Sequence, residues 1–499
     1  MKLKLLRPSL CSAAAKAASS SSSAVNDVCG DLTLSVKPFT EIPGPKSLPG
    51  IGTLHNYLPF IGKYSFDRLH HNGKSKLNEF GSLVKEEIIP GVFVVWVFTV
   101  EDIETVYASE GQHPLRRSHL ILEKYRKDHP HIYNSGGLLP TNGLKWMELR
   151  KGFQKGLSRV QDVRLFLPEI NSIMQDFIEF RLKSHVSKFS SICQNEKTIE
   201  ETLRLNSFST EEKDPSSKSS RLIDAAFTVN SCILKSDNGP QLWKRFRTPI
   251  YQKFEAAHKL KKKSSGDSVE KLSLVEQYLR AISSPSSKLD IKDVNGIGID
   301  FLLAGIDTSS YTSSFALYHL AKNRESQDLV HKEVKKLMNT HNSDGTITAE
   351  MLKNAPYTKA VVKEVLRMNP ISVGIGRILA KDAVLSNYFV PKGTTVVTQN
   401  QVSCRLPEYF KNPEEFRPER WLKTSPLYQP VSPYLVLPFG HGPRACIARR
   451  LVEQELCVLI MKVMKDFQIE WNGKETLDSK SYLINKPDGP ISLSFLRRT

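Results

Sequence analysis

Hydrophobic positions between Ile291 and Lys322 return every three or four residues with no proline among them, a spacing that predicts one long α-helix. A second such stretch runs from Ala355 to Met368 and is closed by Pro370. A third runs from Ala448 to about Lys465. Elsewhere the period changes. From about Phe66 to Ser109 the pattern mixes a helix with a strand pair around Gly91, and the run "IIPGVFVVWVF" (Ile88 to Phe98) is β-branched and aromatic, as a buried strand requires. From Gly143 onward the chain is mostly helical. Beyond Pro370 come short β pieces, "RILAKDAVL" and "GTTVVTQ". Six prolines between Pro413 and Pro438 then make the chain turn-rich. The expected fold is mainly α with a minor β part, in one large domain without internal repeats.

The edges of that domain are marked by composition. The segment "IPGPKSLPGIG" (Ile42 to Gly52) has three prolines and three glycines, which exclude helix and predict a stiff lead into the fold. Before it, residues 1–36 form a leader: four basic residues precede the first acid, Asp27, amid a Ser/Ala tract. This is the profile of a mitochondrial transit peptide, although a plain disordered tail has the same composition. Residues 195–221 are polar and Ser/Lys/Glu-rich, predicting a surface excursion. No run of roughly 18 apolar residues occurs, so a transmembrane anchor is not expected.

Seven cysteines, odd in number and without a C-x-x-C pair, exclude a disulfide framework and a zinc finger and fit a reducing compartment. The net charge of +18 is spread along the chain. Its densest run, "KLKKKSS" at Lys259, lacks the interleaved aromatics that nucleic-acid binding requires. The charge favours an acidic partner or surface.

Four constellations hold the candidate chemistry. In "PFGHGPRACIARR" a single thiol, Cys446, follows two glycines and an arginine and precedes a helix. It could be a buried structural thiol, a nucleophile served by His441, or a metal ligand. A thiolate holding an iron porphyrin needs a close backbone (Gly440, Gly442), an apolar neighbour (Phe439), N–H groups aimed at the sulfur, and a fork such as Arg444 for a carboxylate. In "FLLAGIDTSS", Asp307 and Thr308 place an acid beside an alcohol in mid-helix, after the small Ala304 and Gly305. Glu364 and Arg367 share a helix face at i, i+3, but so do Glu123/Arg126 and Glu201/Arg204, so the spacing alone says little. In "WMELR", Trp146 and Arg150 lie at i, i+4.

Taken in order, W-x-x-x-R, A-G-x-D-T, E-x-x-R, "FRPERW" and the cysteine loop resemble the cytochrome P-450 family. One departure is Ala448, where the family's signature has glycine. The resemblance implies a single cytochrome P-450 fold with haem b between the oxygen-binding helix and the cysteine-loop helix. It makes Cys446 the axial iron ligand, with Phe439 and Gly442 shaping its seat. Trp146, Arg150, Arg377 and Arg444 become propionate contacts, Asp307 and Thr308 a proton relay. Glu364, Arg367 and Arg420 become a buried structural triad.

Lys359 and Lys363, on the outer side of the E-x-x-R helix, resemble the docking lysines of mitochondrial members. With Arg449 and Arg450 they imply an acidic two-iron ferredoxin, reduced by an NADPH-dependent reductase, as electron donor, and a peripheral location on the matrix side of the inner mitochondrial membrane. The stretches "GIGTLHNYLPFIGKYSF" and Arg116 to Gly143 are similar to mitochondrial ecdysteroid hydroxylases of the family. They imply a steroid substrate, hydroxylated at C-22 of an ecdysteroid precursor on the way to ecdysone. Hydroxylation at another carbon and a haem-thiolate protein that does not monooxygenate are the alternatives.

Overall fold

Asp290 opens the longest helix of the chain: its carboxylate accepts the Lys292 and Asp293 N–H groups while Asp293 reaches back to the Asp290 N–H, a reciprocal cap. The helix then runs over Ile291–Lys322, the bounds its hydrophobic spacing predicts. At 1.5 Å per residue its 32 residues span about 48 Å. The computed structural model describes residues 36–183, 218–238, 241–264, 278–279, 282–283, 288–341 and 343–498. Residues 1–35 of the leader and residues 195–217 of the polar stretch lie outside the described residues.

Helices of eight or more residues are, in chain order, α1 (Leu69–Phe80), α2 (Val100–Ala108), α3 (Leu120–Lys127), α4 (Gly143–Phe153), α5 (Leu167–Asp176) and α6 (Lys218–Asn238). They continue with α7 (Pro249–Ser264), α8 (Ile291–Lys322), α9 (Arg324–His341), α10 (Pro356–Met368) and α11 (Arg449–Asp466). Pro356 starts α10, where its missing N–H costs nothing. The second half of α8, from Ser310 to Leu320, is buried throughout. There Phe315 and Leu317 meet Val334 of α9, Val361 and Val365 of α10, Ile460 of α11 and Met174 of α5 in the main core.

The β part is smaller. Strands β1 (Leu83–Ile89) and β2 (Val92–Val97) form a hairpin turning at Gly91, whose φ of 76° suits glycine. They join β6 (Thr395–Thr398) and β3 (Ile375–Ile378) in the order β1-β2-β6-β3, with β2 and β6 parallel. Three two-stranded pairs complete it: β4 (Ala383–Leu385) with β5 (Tyr388–Val390), β8 (Ser479–Tyr482) with β9 (Ile484–Pro487), and β10 (Leu493–Arg497) with β7 (Phe467–Trp471).

The sequence pattern places a turn at "NKPDGP", yet Asn485 to Pro487 belong to β9. Polar anchoring, not alternation, makes this strand: the Asn485 N–H donates to Ile371 O (2.7 Å), and its amide donates to Pro370 O and Gln401 Oε1. Among the described residues no helix is long and apolar enough to cross a membrane.

Candidate functional site

The loop before α11 folds back on itself. Gly440 N–H donates to Leu437 O, Ala445 N–H to Gly442 O, and Cys446 N–H to Phe439 O at 2.7 Å. Gly440 (φ 76°) and Gly442 (φ 66°) occupy the left-handed region that these turns demand. Cys446 itself has accessible surface, yet protein crowds it closely enough to push its thiol up, so it lies in a recess open on one side. The Ala448 N–H and the charges of Arg150 and Arg449 act in the opposite direction and favour the thiolate.

Beside the recess four guanidinium groups gather. Arg444 donates to Pro114 O, Thr141 O and Asn142 Oδ1 and lies 4.1 Å over the Trp146 ring, which leaves Nη1 buried and without a hydrogen-bond partner. Arg150 keeps Nε in the same condition. Arg377 donates to Glu110 Oε1 at 2.7 Å, and Arg116 to Leu139 O. Burial, then mutual repulsion among Arg116, Arg377 and Arg150, draws Arg444 down to about 8; Arg116 is likewise drawn down to about 10. One bonded carboxylate, Glu110, faces this cluster, and burial pushes it up. Such a concentration of positive charge with unused donors fits a dianionic group such as the two propionates of a haem.

Helix α8 meets the loop through Phe301, which shares a cluster with Ile447. Ala304 and Gly305 are exposed in the middle of a largely buried helix, and a Cβ added to Gly305 would meet nothing within 4 Å. Thr308 Oγ1 donates to Ala304 O at 2.6 Å. Asp307 is buried, and its carboxylate accepts from Asn230 of α6 at 2.9 Å. The expected acid–alcohol pair thus makes these bonds to different partners, because successive helical residues diverge by about 100°. Phe301, Val294 and Ile297 of α8 share one apolar cluster with Trp146 and Leu149 of α4 and with Ile447, so all three walls pack together.

Behind the loop, Arg367 grips Glu364 with both Nε and Nη2 at 2.9 Å, and Arg420 Nε adds a third bond at 3.0 Å. All three side chains are essentially without solvent contact. The predicted triad is therefore present as a geometry. Lys359 and Lys363 are exposed on the outer side of α10, as are Arg449 and Arg450 at the start of α11. Arg449 is partly engaged by Glu453 at 3.0 Å and lies over the Phe439 ring.

Sequence reasoning did not single out Arg116, Glu110, Asn230 or Trp421 as site residues. Each acquires its place through tertiary contacts from a distant segment; of the four, Trp421 alone stands in a quoted motif, "FRPERW", which does not mark it as a partner of Glu364.

A cysteine in a one-sided recess, a guanidinium cluster on one flank and an opened helix on the other define a haem-thiolate protein. The sequence profile of cytochrome P450 matches residues 42–495, and the chain belongs to that family. Its cofactor is a haem held by a cysteine thiolate. The chain is 44% identical to "cytochrome P450 302a1, mitochondrial" of Drosophila melanogaster over 481 residues, 93% of this chain and 96% of that one. It is 28% identical to "probable cytochrome P450 301a1, mitochondrial" (92% and 87%) and to "ecdysone 20-monooxygenase" (91% and 88%), both of the same organism.

Proposed function

We propose that the chain is a mitochondrial monooxygenase that hydroxylates a steroid, at C-22 of an ecdysteroid precursor, with electrons from a two-iron ferredoxin and its NADPH-dependent reductase. The observation that carries the monooxygenase reading is the recess: an accessible Cys446 beside Arg150, with the next residue, Ile447, packed in one apolar cluster with Phe301 of α8. Bound there, the haem supplies oxygen activation, one oxygen atom entering a C–H bond and the other leaving as water. Cys446 is the thiolate that holds it, seated by Phe439 and Gly442. Arg444, Arg150 and Arg377, with Arg116 added, hold the carboxylates, and Trp146 braces Arg444.

Thr308, whose hydroxyl donates to Ala304 O, is the alcohol of the relay, and Asp307 is the acid of the same helix turn. Glu364, Arg367 and Arg420 fix the support of the loop. Residues 1–36 act as the transit leader and 37–499 as the monooxygenase domain. Exposed Phe60, Ile61, Leu242 and Phe246, the last two flanked by Lys244 and Arg247, support peripheral contact with the inner mitochondrial membrane on its matrix side.

The steroid assignment rests on the similarity of the Arg116 to Gly143 stretch to mitochondrial ecdysteroid hydroxylases, and the relative named ecdysone 20-monooxygenase supports the substrate class. The carbon monoxide difference spectrum of the reduced protein tests the site: a red-shifted Soret band is expected, and Cys446→Ala abolishes it. Turnover of ecdysteroid precursors with reconstituted ferredoxin tests the substrate. Product hydroxylated only at a carbon other than 22 would overturn the positional assignment.

A further inference from the structure

Adjacent residues on a helix diverge by about 100°, so two neighbouring histidines do not ordinarily meet one partner. His70 and His71, in the first turn of α1, do. Their Nε2 atoms reach the two oxygens of one carboxylate, Asp478, at 3.0 Å (Oδ1) and 2.7 Å (Oδ2), with the ring centroids 4.3 Å apart. Asp478 comes from the far end of the chain, immediately before β8. Among the described residues this is the one group of three histidine, cysteine or acidic side chains whose ligand atoms all lie within 4.8 Å of one another.

We propose that His70, His71 and Asp478 form a site for one divalent transition cation of the zinc class, which ties α1 to the β8–β9 pair. Two imidazoles and a carboxylate are a ligand set that such a cation accepts, with a fourth position left to water. His71 is 56% exposed, so that position opens to solvent. Around a tetrahedral ion with bonds of about 2.0–2.1 Å, ligand atoms stand roughly 3.3–3.4 Å apart. The present N–O separations therefore need to open by only about half an ångström.

The surroundings aim the carboxylate and leave it in charge excess. Ser479 N–H donates to Asp478 Oδ1 at 2.7 Å, and the Asp478 N–H donates to Asp488 Oδ1 at 3.0 Å, so Asp478 is oriented before a cation arrives. Arg68 pairs with Asp478 at 3.2 Å and with Asp488 at 3.0 Å; one guanidinium thus serves two carboxylates beside the imidazoles. The far end of the hairpin gives the site a reach. β8 turns into β9 at Leu483 (φ 76°), which packs on the apolar cluster of Tyr125 of α3, Val229 of α6 and Leu303 of α8. Leu303 directly precedes the opened Ala304 and Gly305, so a cation at the root of this hairpin steadies a tip seated beside that stretch.

The test uses the haem-loaded full chain, in which the iron occupies Cys446, and Zn²⁺ alone as the probe. Titration calorimetry should show one saturable site per chain. The zinc X-ray absorption spectrum should show nitrogen and oxygen neighbours at about 2.0–2.1 Å, imidazole scattering and no sulfur. His71→Ala, at an exposed position, should weaken zinc binding by about tenfold or more, and the double variant His70→Ala/His71→Ala should abolish it, with the carbon monoxide band of both intact. Amide hydrogen exchange over residues 479–487 should slow when zinc is added to the wild type and stay unchanged in the double variant. Absence of saturable binding, sulfur in the zinc shell, a double variant that binds as tightly as the wild type, or exchange in the wild type that zinc does not slow overturns the proposal. None of these readouts needs turnover, so they stand whatever the substrate proves to be.

Discussion

Glu364 receives bonds from Arg367 Nε and Nη2, Arg420 Nε, the Arg417 N–H and Trp421 Nε1, all between 2.9 and 3.0 Å. Burial alone pushes its carboxyl up, and these donors outweigh it, so Glu364 titrates below the usual carboxylate range. Arg420 is drawn down by burial and pulled back by Glu364, and as a guanidinium it stays charged throughout. Glu364→Gln leaves two guanidinium groups buried with no anion between them. An expected loss of about 3–5 kcal/mol follows, measured as a fall in urea midpoint at neutral pH.

The sign of the pH effect follows from the depressed value. Stability from Glu364 is fully present above the unfolded carboxyl's pKa and is lost as pH falls through the lower folded one. The wild-type midpoint should therefore show a component that decays only in acid and is missing from the variant. The E-x-x-R spacing occurs in several places in this chain and identified its arginine only by motif order. The Trp421 and Arg417 bonds were illegible because they come from a turn more than fifty residues away.

At the scale of elements, α8 was the most legible part of the chain. Its apolar spacing and the absence of proline give its bounds, and its cap is written as Asp290 and Asp293 three residues apart. Legibility failed for β9, whose Asn, Lys and Pro content reads as a turn. Pairing with β8 and the Asn485 bonds to residues 370, 371 and 401 hold it instead. It also failed in part for the Asp307–Thr308 dipeptide. The sequence places the two residues together, and only the packing of α6 shows that Asn230 takes the acid.

Thr308 therefore acts as the hydroxyl of the α8 wall in its own right. Thr308→Ala removes the bond to Ala304 O and no buried charge, so the fold and the carbon monoxide band should persist. Peroxide released per electron pair should rise by roughly tenfold or more as protons fail to arrive in step. Unchanged coupling, measured by peroxide yield against product, would count against the relay.

Over the whole molecule, the excess of positive charge becomes meaningful only once the buried arginines are set aside. Arg126, Arg367, Arg377, Arg420 and Arg444 are buried and partnered within the fold, so none of them is displayed to an acidic protein. Lys359 and Lys363 remain exposed on α10, on the turns that bury Glu364 and Arg367 on their inner side. Arg449 and Arg450 are exposed at the start of α11, which packs against α10 and begins three residues after Cys446. A negatively charged donor settling on these four side chains would lie against the elements that support the cysteine.

Its attraction is long-ranged and weakens as salt shortens the Debye length, about 10 Å at 0.1 M. Reversing Lys359 and Lys363 to glutamate should raise the KM for ferredoxin by about tenfold or more at low ionic strength, with little change in kcat at saturating ferredoxin. The gap should narrow steadily as salt is added. Both lysines lie outside the core, so the urea midpoint and the carbon monoxide band should match the wild type. Equal KM values at low salt would remove this face as the docking surface.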